Sequence, residues 1–442
     1  MMNTVLEIIG LDSLVELDDK RQVPAINLDN AATTPAFKLV AEEINRQLLF
    51  YGSIGRGKGQ KSEHSSKIYS AGRDIVKDFV GAKSDRYTVF YVNSTTDGMN
   101  KLASALIESP EDIVLTTRME HHANDLPWRE RVTTLYAEVD SNGRLIIEDL
   151  ERILSDQNGK VRYVSVTAAS NVTGYVNDVH RIAKIAHKYG AQIIVDGAQI
   201  VAHRAFSMLG NTPEEHIDYF VFSAHKMYSP YGGGAVVGLE ETLSERLPVF
   251  YGGGMVKTVM DDKVIYNDLP DRYEAGSPNY LGVVGMLKAI EILCTADFNA
   301  IKEHEQRLIK KTLAGLKTIP GVILYGDNDQ VSDRVGIIVF NLQDITNETV
   351  ANKLAERRGI AVRHAAFCAH PYVRRLAEHE AERENTVDGC FPPEGMVRIS
   401  FGIYNTDADV DALIETLHLI LNDKTSYAVQ NTDISTQPND RG

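Results

Sequence analysis

The sequence predicts an α/β protein, a mainly parallel sheet flanked by helices, followed by a smaller α+β unit. Three observations predict it. Between Thr88 and Asp196, short β-branched runs alternate with longer amphipathic segments, the pattern of parallel strands joined by crossover helices. Tyr219–Phe222 and Ala235–Gly238 are separated by about a dozen residues rich in Gly and Pro, too few for a crossover helix, so an antiparallel return is predicted there. After Pro278 that alternation gives way to long helical stretches mixed with short strands.

In order, the strands are predicted at Thr88–Val92, Asp112–Thr116, Val132–Tyr136, Val161–Val166 and Gln192–Val195. The intervening helices are expected over Asp97–Glu108, Ile147–Ser155 and Val179–Tyr189. Beyond Pro278 the pattern predicts one long helix, Leu281–Thr318. Strands follow at Val322–Tyr325, Val335–Phe340, Ile360–Arg363 and Met396–Phe401, with helices at Thr349–Arg358 and Asp407–Leu421. A chain of 442 residues holds two or three domains. The expected organisation is an N-terminal segment, 1–27, packing on the small domain, a large domain over 28–290, a small α+β domain over 291–422 and a frayed tail over 423–442.

Charge and composition narrow the function. With 46 basic and 61 acidic side chains the net charge is −15, which argues against a nucleic-acid or anionic membrane surface. No apolar run reaches the ~18 residues of a membrane span. The acidic residues Glu7, Asp12, Glu16, Asp18 and Asp19 precede the first basic residue, Lys20, the reverse of a secretory leader. Three cysteines, Cys294, Cys368 and Cys390, are too few for a disulfide framework. The expectation is a cytoplasmic enzyme.

Ligands of open α/β sheets collect at the carboxyl ends of strands, and four candidates lie there. Asn93–Gly98 follows a strand and opens a helix, where backbone N–H groups and the Thr95 and Thr96 hydroxyls favour a phosphate. Asp196 ends a strand before Gly197. Ser223-Ala-His-Lys226 closes another strand. Met119–Asn124 holds the adjacent histidines His121 and His122, whose spacing is wrong for one metal-binding helix face. Alone, each has a plain structural explanation: a helix cap, a turn, a solvated lysine, a core histidine. Together they supply a phosphate cradle, an acid, an amine and a flat ring, the set that pyridoxal phosphate requires.

Here the chain resembles a known family. Asp29-Asn-Ala-Ala-Thr-Thr-Pro35, Thr95-Thr-Asp-Gly-Met-Asn100, Met119-Glu-His-His-Ala-Asn-Asp-Leu-Pro-Trp128, Val195-Asp-Gly-Ala-Gln199, Ser223-Ala-His-Lys226 and Tyr273-Glu-Ala-Gly-Ser-Pro-Asn279 are similar to motifs of class V, fold-type I pyridoxal-phosphate enzymes. The branch resembled is that of Suf-type cysteine desulfurases and selenocysteine lyases, from about Leu28 to Leu421. The resemblance implies a seven-stranded type of sheet and assigns roles. Lys226 would carry the Schiff base, Asp196 would pair with the pyridinium nitrogen and Gln199 would contact the ring hydroxyl. His121 would stack on the ring, with Asn171 beside ring and substrate. Thr95, Thr96, Ser223 and His225 would hold the phosphate, and Ser277 would reach it from a partner subunit, implying a homodimer. Arg398 would grip the substrate carboxylate, a task suited to a bidentate fork, and Arg363 would also bind the substrate.

Cys294 has apolar helical spacing and reads as a core residue. Cys390 has no interpretable pattern. Cys368 follows a strand amid basic residues that favour a thiolate. Its place five residues after Arg363 matches the desulfurase nucleophile, which takes sulfur from L-cysteine as a persulfide and leaves alanine. The chain departs from the family twice. Gly55 stands where the family has a histidine before Arg-Gly, removing a substrate-side acid/base. The segment between Cys368 and Arg398 is long and carries the charge run 378–384, expected as a solvated face. The implied partners are an amino acid, L-cysteine or selenocysteine, and a sulfur-acceptor protein. The alternatives are a class V aminotransferase, epimerase or β-lyase in which Cys368 is incidental, and a catalytically silent dimeric scaffold.

Overall fold

The computed structural model describes the backbone of residues 6–55, 57–383 and 395–434, and side chains outside 381–383 and 423–434. Its centre is a seven-stranded sheet. In chain order the strands are β1 (Tyr87–Val92), β2 (Ile113–Thr117), β3 (Thr133–Ala137), β4 (Val161–Thr167), β5 (Gln192–Asp196), β6 (Tyr219–Ser223) and β7 (Gly234–Leu239). Their spatial order is β1-β7-β6-β5-β4-β2-β3. β6, β5, β4, β2 and β3 run parallel, and β7 lies antiparallel between β6 and β1. The short connection before Ala235 does produce the antiparallel return.

All residues of β1, β6 and β7 are buried, as expected of strands covered on both faces. Gly98, in the helix Thr95–Leu106, permits that cover, because a Cβ there would lie 2.5 Å from Val221 Cγ1 and 2.9 Å from Val236 Cγ2.

A second sheet, β8 (Val322–Leu324), β9 (Ile337–Leu342), β10 (Arg363–Ala365) and β11 (Met396–Ser400), is antiparallel with the order β8-β9-β11-β10. Its core joins Ile338, Phe340, Val397 and Ile399 to Leu308, Leu354 and Leu413. The stretch expected as one helix is two, Tyr280–Thr295 and Phe298–Leu316. Asp297 between them accepts from the N–H groups of Asn299 and Ala300 and caps the second, so a strong N-cap overrides continuous periodicity. Ile292, Leu293 and Ile301, beyond position 290, still pack in the main core.

The N-terminal segment reaches the second sheet's side of the molecule. Ile26–Asn27 pairs in parallel with Ile360–Ala361, and Gly359, left-handed at φ 66°, ends the helix Asn347–Arg358 and offers its carbonyl to Ile26 N–H. The charge run begins inside a helix, His370–Arg383, that periodicity did not predict. Tyr372, Val373, Leu376 and Ala377 are buried on one side of it, and Glu378 is exposed. Cys390 lies outside the described residues. The last helix runs from Asp407 to Ile434, past the predicted Leu421. No helix among the described residues is long and apolar enough to cross a membrane.

Candidate active site

A cavity of about 320 Å³ opens at the carboxyl ends of the parallel strands. Lys226, Asp196, Gln199, His121, Asn171, Thr95, Thr96, Ser223, His225, Arg363, Cys368 and Arg398 all line it. Every site residue that the sequence singled out converges here, with one exception, Ser277.

Lys226 ends a tight turn, Ala224–Lys226, directly after β6. The Asp29–Pro35 motif pins this turn. Thr33 and Thr34 hydroxyls donate to the His225 carbonyl at 3.0 and 3.2 Å, and the Thr34 N–H at 2.9 Å, while Tyr228 N–H donates to Thr34 Oγ1 at 2.7 Å. Burial pushes the Lys226 amine down to about 8, with Asp196 opposing the shift. A lysine so placed is partly unprotonated near neutrality and able to act as a nucleophile.

At one end of the cavity the helix Thr95–Leu106 begins, capped by Ser94 through Asp97 N–H. Thr95 N–H donates to Ser223 Oγ at 2.6 Å, and the two hydroxyls lie 2.8 Å apart. Burial holds the His225 imidazole down at about 4, so it is a neutral donor or acceptor. Hydroxyls, a neutral imidazole and a positive helix terminus form an anion cradle.

Midway, Asp196 is 3% exposed and accepts from Ala198 N–H at 2.9 Å; burial raises its carboxyl. Gln199 is oriented by donating to the Ala31 carbonyl at 2.9 Å. Ala123 N–H donates to His121 Nδ1 at 3.0 Å, which assigns the ring proton to Nε2. Burial, reinforced by Lys226, lowers His121 to about 3, so the ring is flat, neutral and fixed in tautomer. Its loop is anchored by Glu120, buried and accepting from Thr117 Oγ1, Asn124 Nδ2 and Thr167 N–H.

The opposite wall comes from the second sheet. Cys368 is exposed, in a loop where Ala365, Phe367 and Cys368 all have positive φ, 81, 52 and 55°. Left-handed conformation at a non-glycine residue costs about 1–2 kcal/mol. Two contacts hold the loop to the large sheet: His122 N–H donates to the Cys368 carbonyl at 2.7 Å, and Asn171 Nδ2 to the Phe367 carbonyl at 2.8 Å. The His122 ring stacks on His370 at 4.9 Å.

Arg398, 3% exposed, donates through Nη1 to the Asn171 carbonyl at 2.9 Å and through Nη2 to Asp29 Oδ1 at 3.1 Å. Its buried Nε has no hydrogen-bond partner among the described residues. Arg363 Nε reaches the other Asp29 oxygen at 3.0 Å. Asp29 thus bridges two guanidinium groups, leaving one net positive charge on the cavity wall. The sequence motif contained Asp29 but gave it no role, since nothing local shows a contact 369 residues away.

Ser277 instead lines a neighbouring cavity of about 230 Å³ with Asn93, Asp97, Lys101 and Asn279. Gly55 is left-handed, with no atom within 4 Å of an added Cβ, and does not line the main cavity. Cys294 is solvent-exposed at the end of its helix rather than in the core, because Thr295 closes that helix and position 294 falls on its outer side.

An amine, a buried acid, a flat neutral ring and an anion cradle occupy one pocket, and the orphaned Arg398 Nε adds an unused donor beside them. These residues fit pyridoxal 5′-phosphate.

Comparisons agree. The Aminotransferase class-V family matches residues 26–413. A cysteine desulfurase of Wigglesworthia glossinidia brevipalpis is 31% identical over 431 residues, covering 94% of this chain and 97% of that protein. One from Haloferax volcanii is 32% identical and covers 90% of each. The apo structure of the cysteine desulfurase of Thermococcus onnurineus NA1 superposes with a TM-score of 0.80 at 28% identity, covering 90% of this chain and 95% of that one. Sheet, cavity and relatives lead to one assignment: the chain belongs to the pyridoxal-phosphate-dependent aminotransferase class-V family, within its cysteine desulfurase branch.

Proposed function

We propose that this protein is a cysteine desulfurase that converts L-cysteine to L-alanine and holds the sulfur as a persulfide on Cys368. The observation that carries the reading is that Cys368, the Lys226 amine and Arg398 line one cavity.

Pyridoxal phosphate, when bound, supplies an aldehyde that captures amines and a ring that withdraws electrons from the adjoining carbon. Lys226 would hold it covalently and return to the substrate as a proton carrier. Thr95, Thr96, Ser223 and His225 would hold the phosphate. Asp196 would keep the ring nitrogen protonated, Gln199 would donate to the ring hydroxyl, and neutral His121 would cover the ring face. Arg398 would receive the substrate carboxylate, with Arg363 and Asn171 beside it in the same cavity. The Cys368 thiolate would attack the substrate sulfur. A sulfur–sulfur bond forms as the sulfur–carbon bond breaks, and the electron pair left on carbon takes up a proton to give the alanine methyl.

In this reading the enzyme is a homodimer, with Ser277 reaching the phosphate of the partner's site. Exposed Leu247, Phe250 and Tyr251 support an apolar interface. A sulfur-acceptor protein would then collect the persulfide from the exposed Cys368 loop. The free thiols of Cys294 and Cys368 support a reducing, cytoplasmic setting.

Product analysis with a panel of amino acids tests the reading. Alanine and a persulfide on Cys368 are expected from L-cysteine. Pyruvate would assign β-elimination instead, and a keto acid would assign transamination.

A further inference from the structure

At the opposite end of the sheet from the cavity, three side chains that the desulfurase reading does not use meet around one point. Asp218, 1% exposed, stands just before β6. Its Oδ2 accepts from Ile193 N–H at 2.8 Å and faces His187 Nε2 at 2.8 Å, while Oδ1 faces His216 Nε2 at 2.9 Å. The three ligand-type atoms lie within 4.8 Å of one another.

The other ring nitrogens fix the chemistry. His187 Nδ1 lies 2.7 Å from the Glu214 carbonyl, and His216 Nδ1 lies 2.5 Å from the Pro213 carbonyl. A carbonyl only accepts, so each Nδ1 carries its proton, and in a neutral imidazole the Nε2 lone pair then points at the carboxylate. Two lone pairs facing a buried anion repel it unless a proton or a cation lies between them. Arg86 meets that need from the solvent side, with Nη2 at 2.6 Å from His216 Nε2 and 3.8 Å from Asp218 Oδ1, but its side chain is 47% exposed and free to swing out.

We propose that His187, His216 and Asp218 form a binding site for one divalent first-row metal ion, such as zinc or nickel. Metal-ligating histidines characteristically donate the second ring N–H to a carbonyl or carboxylate, and both do so here. Ligand atoms about 2.1 Å from a shared ion stand about 3.0 Å apart when they meet at a right angle, and about 3.4 Å apart in a tetrahedron. The observed 2.8 Å from His187 to Asp218 Oδ2 and 2.9 Å from His216 to Asp218 Oδ1 are hydrogen-bond lengths close to the right-angled value, so an ion could enter with little movement of the three side chains. Two imidazoles bound side by side at right angles place their ring centres about 4.5 Å apart, against 4.3 Å here. The ion would tie the helix Val179–Lys188 to the start of β6, and so serve stability rather than catalysis.

The test uses tag-free, cofactor-loaded full-length protein, dialysed against EDTA and titrated calorimetrically with ZnCl₂ and with NiCl₂. One ion per chain is expected, with a rise in the thermal midpoint. His216→Ala and His216→Gln should each weaken binding at least tenfold while keeping the cofactor absorption, and Arg86→Ala, by removing the competing cation, should tighten it. Absence of saturable one-per-chain binding would show that protons alone fill the cluster and overturn the proposal. So would wild-type affinity in the His216 variants.

Discussion

The two walls of the cavity are built on different principles. On the Lys226 wall, each functional group sits at a strand end and is fixed by backbone bonds: the turn carrying the lysine accepts three hydrogen bonds from the Thr33–Thr34 pair. On the Cys368 wall, the thiol sits on an exposed loop with three left-handed non-glycine residues. Two bonds to its carbonyl groups, from His122 and Asn171, tie it to the other wall. Rigidity suits a group that must hold a cofactor in one pose. A loop in a costly conformation suits a group that must first reach a buried substrate and then present its sulfur outside.

Lys226→Ala should break the rigid side most severely, losing the lysine-linked absorption and turnover by at least about 10³-fold. The same wall predicts a pH effect. The Lys226 amine titrates at about 8 in the folded protein against an ordinary 10.5. The unfolded chain therefore binds more protons between these values, and this group's contribution to stability rises with pH across that window. In cofactor-free protein, the rate of pyridoxal-phosphate capture should climb between pH 7 and 9, followed by absorbance; a flat profile would show that the amine is not held as described.

Cys368→Ala should lose sulfur release by at least about 10²-fold while the protein keeps its colour. That separates the two walls, and undiminished sulfide production would remove Cys368 from the chemistry. Asp29→Asn should cost about 3 kcal/mol in substrate-free protein, because it leaves buried Arg398 without its counter-charge. Denaturant midpoints measure this, and added amino acid should recover part of the loss by restoring a carboxylate. The smallest change expected is Phe367→Leu. The Arg398 guanidinium lies 5.0 Å from the Phe367 ring centre, a contact worth about 0.5–1 kcal/mol, so KM should rise only a few-fold with kcat nearly unchanged.

Much of the Lys226 wall was legible in the sequence, because its residues are local to strand ends: Asp196 ends β5, Ser223 ends β6 and Thr95 opens a helix after β1. Cys368 could be singled out because its place after Arg363 resembles that of the desulfurase nucleophile. The role of Asp29 was not legible, since both of its arginine partners lie more than 300 residues away. The helix His370–Arg383 was missed for another reason. Its buried face, Tyr372, Val373, Leu376 and Ala377, is short, and its second half enters a charge-rich sequence that resembles loop composition. The cluster of His187, His216 and Asp218 escaped likewise, because the two histidines share no sequence period and meet only where the helix Val179–Lys188 packs against β5 and the Pro213–Glu215 turn.

By itself the sequence determined the parallel sheet, its single reversed strand and the motif residues that gather around position 226, because each depends on local periodicity and on what a strand end presents. Tertiary structure alone decided how Arg398 is neutralised, how the Cys368 loop is tied to the large sheet, and which histidines converge on Asp218. Those outcomes depend on contacts between segments distant in the chain, and burial, which turns such contacts into shifted charges and shared protons, exists only once the two sheets have closed on each other.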